Sequence, residues 1–161
     1  MSLFGYFVFG RADGALSDVD VVRVCAESGT LVGTRTDGDW QLTQIFDGSD
    51  LHARDVTAQT GHPALVIYVI ESEVGVIEAA TPDGRAGFNA CLNPADAVRA
   101  LGVPPEIAGT PEETADLASD WATDAGLNPE HAALVAAVDR RVGGFGEGVD
   151  AFVTALGFAF S

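Results

Sequence analysis

Seven consecutive apolar residues decide the fold of this chain: Ala64-Leu65-Val66-Ile67-Tyr68-Val69-Ile70. Their side chains are apolar on both alternating faces, so the run predicts a strand buried in the middle of a sheet. The run is far too short to cross a membrane. A second run, Leu3-Phe4-Gly5-Tyr6-Phe7-Val8-Phe9, has the same character and predicts a second central strand.

Each predicted central strand is followed by a hairpin. The first hairpin pairs residues 30–36 with residues 39–46, because Asp37-Gly38 favours a tight turn. The second pairs residues 74–80 with residues 86–92. Helices are predicted over residues 18–28, 51–60 and 94–101, each followed by a glycine at position 29, 61 or 102.

The two sheet-forming segments resemble each other in pattern. Each has an apolar strand, a second strand entered by Val-Gly, an Asp-Gly turn, a third strand and a helix that ends at glycine. A diverged duplication of this strand-hairpin-helix unit predicts a pseudo-symmetric six-stranded sheet with helices on one face. The alternative is that such units recur by chance.

The pattern changes to helices beyond Gly102. Thr110-Pro111-Glu112-Glu113 is a capping box with proline at the first helical position, and the helix should extend to about Ala125. Further helices are predicted over residues 129–142 and 149–157. We therefore predict an α+β fold, with a mainly antiparallel sheet of about six strands and a helical C-terminal part packed on it. We expect a single domain over residues 1–161, sheet-rich over 1–103 and helical over 104–161.

The net charge is strongly negative. Aspartate and glutamate number 24 against eight basic residues, all of them arginine, which gives a formal charge of −16. A polyanion is repelled by nucleic acids and by anionic membranes, so we expect neither as a partner. Two interpretations remain for the charge itself. Surface carboxylates keep proteins of salt-adapted organisms solvated, and they also complement a basic protein partner.

Neither the chain start nor the cysteines indicate an extracellular protein. The N-terminus has no basic, extended apolar leader, so we expect a cytoplasmic location. Cys25 lies in a predicted helix and Cys91 in a predicted strand, and both are expected to be buried, reduced thiols. No phosphate-binding or nucleophile motif is present, so no cofactor and no catalytic residue is predicted.

One predicted helix carries charges that oppose its own stability. Carboxylates lie along one side of the helix that starts at Pro111. They are Glu112, Asp116, Asp120 and Asp124, with Glu113 beside them. Like charges four residues apart repel, and the last two also oppose the helix dipole. We interpret these five residues as a candidate docking site for a basic partner. The alternatives are a solvated surface and a divalent-cation site on Asp116 and Asp120.

The three histidines give no catalytic or metal pattern. His131 falls within an apolar stripe, which predicts a structural histidine in the core. His52 lies one turn from Asp55, a common surface pairing. His52 and His62 could form a metal site with Asp47 and Asp50, but their spacing matches no recognised metal motif, so no metal site is predicted.

These observations favour a non-catalytic, acidic protein-binding module that masks a basic protein, such as an immunity-type inhibitor or a chaperone-like protein. The first alternative is a small enzyme or ligand-binding protein with its site in a cleft between sheet and helices. The second is a homo-oligomeric structural subunit, for example a homodimer. A pocket lined by inward-facing polar groups would favour the first alternative, and an exposed apolar patch would favour the second.

Overall fold

The computed structural model describes residues 3–160, and six strands in this range form one antiparallel sheet in the order β2-β3-β1-β4-β5-β6. The strands are β1 (Gly5–Arg11), β2 (Gly29–Asp37), β3 (Trp40–Asp47), β4 (Ala64–Ile70), β5 (Val74–Ala80) and β6 (Phe88–Leu92). The helices are α1 (Asp20–Glu27), α2 (Ala53–Thr60), α3 (Pro94–Leu101), α4 (Pro105–Ala108), α5 (Pro111–Asp124), α6 (His131–Val138) and α7 (Glu147–Leu156). The predicted α+β fold, with helices of the C-terminal part packed on the sheet, is confirmed.

The first four strands follow a split β-α-β topology. β1 lies antiparallel to β3 on one side and to β4 on the other. Because β2 is antiparallel to β3, β1 and β2 are parallel, and α1 connects them across β3. In the same way, α2 connects the parallel strands β3 and β4 across β1. This β-α-β-β-α-β arrangement is that of ferredoxin-like folds, extended here by β5 and β6.

The strand order does not meet the expectation of a duplicated unit. From the centre outward, the first half of the sheet runs β1, β3, β2, whereas the second half runs β4, β5, β6. The difference arises because α1 lies between β1 and the hairpin of β2 and β3. The second strand of that hairpin, β3, then pairs with β1 at the centre of the sheet. Helices also lie on both faces of the sheet. The pseudo-symmetric sheet expected from a duplicated unit is therefore not what the structure shows, whereas the six-stranded antiparallel sheet is.

One face of the sheet, the front face, packs against the C-terminal helices. Phe7 and Phe9 of β1 lie on it, in one continuous core with residues of α5, α6 and α7. Trp121 of α5 is fully buried there, and its Nε1–H donates a hydrogen bond to the carbonyl oxygen of Ala80 at 3.1 Å. The rings of Phe9 and Trp40 stack at 4.8 Å between centroids. Large aromatic burial thus holds α5 on the sheet.

The other face, the back face, carries two separate groups of helices. α1 and α2 cover Tyr6, Val8 and Val66 of the central strands, whereas α3 and α4 cover Val74 and Cys91 near the β6 edge. The two groups belong to distinct buried clusters. Between them the sheet is less completely covered, and Val76 of β5 remains exposed.

Several helix ends differ from the sequence-based prediction. Residues Leu16–Asp18 form a 3₁₀ turn, so α1 begins at Asp20 instead of residue 18 and has no side-chain cap. The buried Leu16 fixes this turn, and its N–H donates to Gln41 Oε1 at 2.7 Å. At the other end of the chain, α6 stops at Val138 instead of continuing to residue 142, because Asp139 leaves the helical conformation.

Candidate functional site

Helix α5 forms as its sequence predicts. Thr110 caps the helix, its hydroxyl accepting a hydrogen bond from the N–H of Glu113 at 3.2 Å, and Pro111 occupies the first turn. The inward side includes Ala118, Trp121 and Ala122, all fully buried. The opposite side must therefore face solvent, on a helix whose position is fixed by the front-face core.

That outward side carries all five carboxylates of the predicted docking site. Glu112, Glu113, Asp116, Asp120 and Asp124 are solvent-exposed, and together we call them the acidic face. Leu117 lies beside them, one turn from both Glu113 and Asp120, and is 44% exposed. An exposed apolar side chain therefore borders the row of carboxylates, where the acidic face meets the buried side of the helix.

Basic side chains of the chain do little to neutralise this surface. Within residues 3–160, Asp116 is the one member of the acidic face with a basic partner, His131 Nε2 at 2.6 Å. Arginines pair with carboxylates elsewhere: Arg23 with Asp20 and Glu27, Arg35 with Asp150, Arg99 with Asp96, and Arg141 with Glu73. The charge on the outside of α5 is therefore left for solvent or for another molecule.

The prediction that His131 is a core histidine is wrong. Its side chain is 51% exposed, and it lies in the first turn of α6 beside α5. The buried side of α6 consists of Leu134, Ala137 and Val138. Because the helix begins at His131 itself, this residue lies at the rim of the apolar stripe and reaches the carboxylate of Asp116.

A small cleft on the back face contains a second group of polar side chains. The cleft has a volume of about 190 Å³ and is lined by Tyr6, Tyr68, His52 and Glu78 among others. His52 Nδ1 is 3.2 Å from Glu78 Oε2, and the other Glu78 oxygen accepts a hydrogen bond from the N–H of Ala53 at 2.6 Å. The carboxylate thus orients the imidazole, whose other ring nitrogen can hydrogen-bond to a bound polar molecule.

Sequence reasoning missed this pair because it assigned His52 to Asp55. The available signal was Glu78 itself, an acidic residue in the interior of an otherwise apolar strand. Burial, and then the neighbouring Cys25, Asp50 and Tyr68, raise the pKa of the Tyr6 hydroxyl. Tyr6 therefore stays protonated at neutral pH and serves as a hydrogen-bond donor or acceptor in the wall of the cleft.

The structure separates the residues of the metal site considered above. His52 contacts Glu78, whereas His62 Nε2 lies 3.7 Å from Asp13. In the described part of the chain, no group of three or more His, Cys, Asp or Glu residues is placed to hold a metal ion. Cys25 and Cys91 are buried and unpaired, and burial raises the pKa of both thiols, as expected for structural cysteines.

The comparisons with known proteins find nothing similar to this chain. No protein family, no curated protein and no solved structure matches it. Over residues 3–160, none of the helices has the length and apolar character needed to cross a bilayer.

Proposed function

We propose that this protein binds a basic protein through the acidic face of α5 and masks the partner's positive surface. The observation that supports this most strongly is the row of exposed carboxylates that have almost no basic partner of their own, bordered by the exposed Leu117. Protein interfaces commonly combine apolar contacts with complementary charges. An immunity-type inhibitor and a chaperone-like protein would both bind in this way.

The placement of the charges favours binding over folding as their role. Asp120 and Asp124 repel each other and lie in the last turns of α5, where the helix dipole disfavours anions. The helix tolerates them because Trp121 and its neighbours anchor it to the sheet. A cationic partner would remove the repulsion, and it would approach faster in the field of a protein with a net charge of −16.

Capture of the partner tests the proposal. Immobilised wild-type protein is incubated with extract of the source organism, and captured proteins are quantified by mass spectrometry. A triple variant, Glu113→Gln with Asp120→Asn and Asp124→Asn, removes three charges of the acidic face. The matched control removes three exposed charges elsewhere: Asp18→Asn, Asp39→Asn and Glu106→Gln, none of which forms an ion pair within residues 3–160.

We expect at least one basic protein to be captured by the wild type and the control and to be lost from the acidic-face variant. Leu117→Ala should leave the association rate nearly unchanged and speed dissociation, because apolar contacts act mainly after encounter. Equal capture by the two triple variants would show that total charge, and not the acidic face, governs binding, and would contradict the proposal.

A second candidate function is self-association through the edge strand β2. This strand is exposed along nearly its whole length, and it carries Leu31 and Val32, which are 46% and 57% exposed. Exposed edge strands pair with further strands, although the bulge between Leu31 and Gly33 interrupts the regular pattern. Sedimentation at low and high salt distinguishes this candidate, because screening should favour a dimer of two polyanions. A monomer at both salt concentrations would exclude it.

A further inference from the structure

A larger cleft on the back face lies beside α2. It has a volume of about 520 Å³ and opens between α2 and the end of β5, where the chain turns toward β6. This volume is within the range of small-molecule sites. No residue of the acidic face lines the cleft, so an inference about it does not depend on the proposed function. We call it the α2 cleft.

Arg54 of α2 lines the α2 cleft and has no carboxylate partner within residues 3–160. In a chain with three acidic residues for every basic one, an arginine without an ion pair at a cleft is available for an external anion. Its planar guanidinium can donate two parallel hydrogen bonds to a carboxylate.

Thr57, one turn along α2, lines the same cleft and is almost entirely buried. Its hydroxyl oxygen has no hydrogen-bond partner among the described residues. Buried hydroxyl groups are normally hydrogen-bonded. This oxygen is closed to solvent in the present side-chain conformation, so it can meet a ligand only when the Thr57 side chain rotates toward the cleft. By contrast, the hydroxyl of Thr81 across the cleft already donates to Asp83 at 2.9 Å.

The rest of the lining is small and apolar, with Ala58, Ala79, Ala80 and Pro82 among its members. A ligand that fits must therefore combine one anionic group with a compact apolar body. A doubly charged phosphate is less suitable, because Arg54 is the single cation of the lining and the surrounding protein is strongly anionic.

We propose that the α2 cleft binds a small organic carboxylate. The carboxylate forms paired hydrogen bonds with Arg54, and it accepts one from the Thr57 hydroxyl after that side chain rotates about χ1. Its apolar body lies against the alanines and Pro82. This site adds a small-molecule ligand to a protein whose acidic face serves a macromolecular partner.

Chemical-shift titration of the full chain tests this assignment. The probes are benzoate and butyrate, with the neutral amides benzamide and butyramide and with inorganic phosphate as comparators. We expect saturable shifts at Thr57, Thr81 and Gly84 with at least one carboxylate, and none with its amide. Arg54→Gln should weaken that binding by about tenfold or more. Arg23→Gln, which removes an equal charge on α1, should leave it unchanged.

Thr57→Val provides an independent readout, because valine has the same shape without the hydroxyl. It should weaken carboxylate binding severalfold while leaving stability in denaturant unchanged or higher, since an unpartnered hydroxyl is removed. Absence of carboxylate-specific shifts, or equal affinity in Arg54→Gln and the wild type, would overturn the proposal. A higher affinity for phosphate than for the carboxylates would contradict the assignment of the ligand as an organic carboxylate.

Discussion

The two faces of the sheet are covered in different ways. On the front face, three C-terminal helices and the strands share one continuous core rich in aromatic side chains, with Trp121 at its centre. On the back face, two separate groups of helices leave clefts of about 190 and 520 Å³ beside α2. We therefore expect the front face to supply most of the stability and to hold α5 firmly on the sheet. The back face leaves room for a small ligand.

Truncation of Trp121 should have the largest effect on stability. Trp121→Ala removes a fully buried indole and its hydrogen bond to Ala80, and it should lower the free energy of unfolding by about 3–5 kcal/mol. Chemical denaturation measures the change. A loss below about 1 kcal/mol would mean that α5 is peripheral, and the contrast between the two faces would fail.

Truncation of a buried side chain on the back face should lower the free energy of unfolding by less than truncation of Trp121. Leu51 is buried but borders the smaller cleft, so Leu51→Ala enlarges a space that water can already reach. We expect a loss of about 2 kcal/mol, at the low end for leucine truncations. The same denaturation experiment applies. A loss as large as that of Trp121→Ala would show that the back face is packed as tightly as the front.

Salt should stabilise the protein through its surface and not through either core. Raising NaCl from about 0.01 M to 1 M shortens the screening length from roughly 30 to 3 Å, which weakens repulsion among the carboxylates. A gain of about 1 kcal/mol would raise the melting temperature by roughly 2–4 °C in a chain of this length. Thermal melts in NaCl and in matched sucrose measure it. A melting temperature that stays constant or falls in NaCl would show that repulsion among the carboxylates does not limit stability.

The smallest expected effect concerns the two thiols beneath the back-face helices. Burial raises the pKa of Cys25 and Cys91, so the unfolded chain ionises at lower pH than the folded one. The free energy of unfolding should therefore fall as pH rises beyond the ordinary thiol pKa of about 8.5. Denaturation across this range, compared with the Cys25→Ala, Cys91→Ala variant, isolates the contribution. If the free energy of unfolding changed equally with pH in both proteins, the thiols would not contribute and the prediction would be contradicted.

The sequence predicted features that depend on neighbouring residues. Capping by Thr110 and the glycine that ends α2 follow from local chemistry, and both are confirmed. Contacts between distant segments were not predictable. The pairing of His52 with Glu78, and that of His131 with Asp116, depend on how strands and helices meet, for which residue spacing contains no signal.

The same limit applies to the candidate sites. Helical periodicity placed the five carboxylates of the acidic face on one side of α5, and the structure exposes all of them. The α2 cleft could not be recognised, because it forms where α2 meets the turn after β5, more than 20 residues away along the chain. Strand order was not predictable either, since chain order alone does not determine which strand of a hairpin pairs with the central strand.

Association kinetics with the captured basic partner test the central claim most directly. Rates are measured at several ionic strengths for the wild type, the acidic-face variant and the matched control. If the acidic face guides binding, the acidic-face variant should associate more slowly and with a flatter salt dependence, whereas the control should resemble the wild type. An acidic-face variant that binds at the wild-type rate with the same salt slope would show that these carboxylates only solvate α5, and would contradict the account.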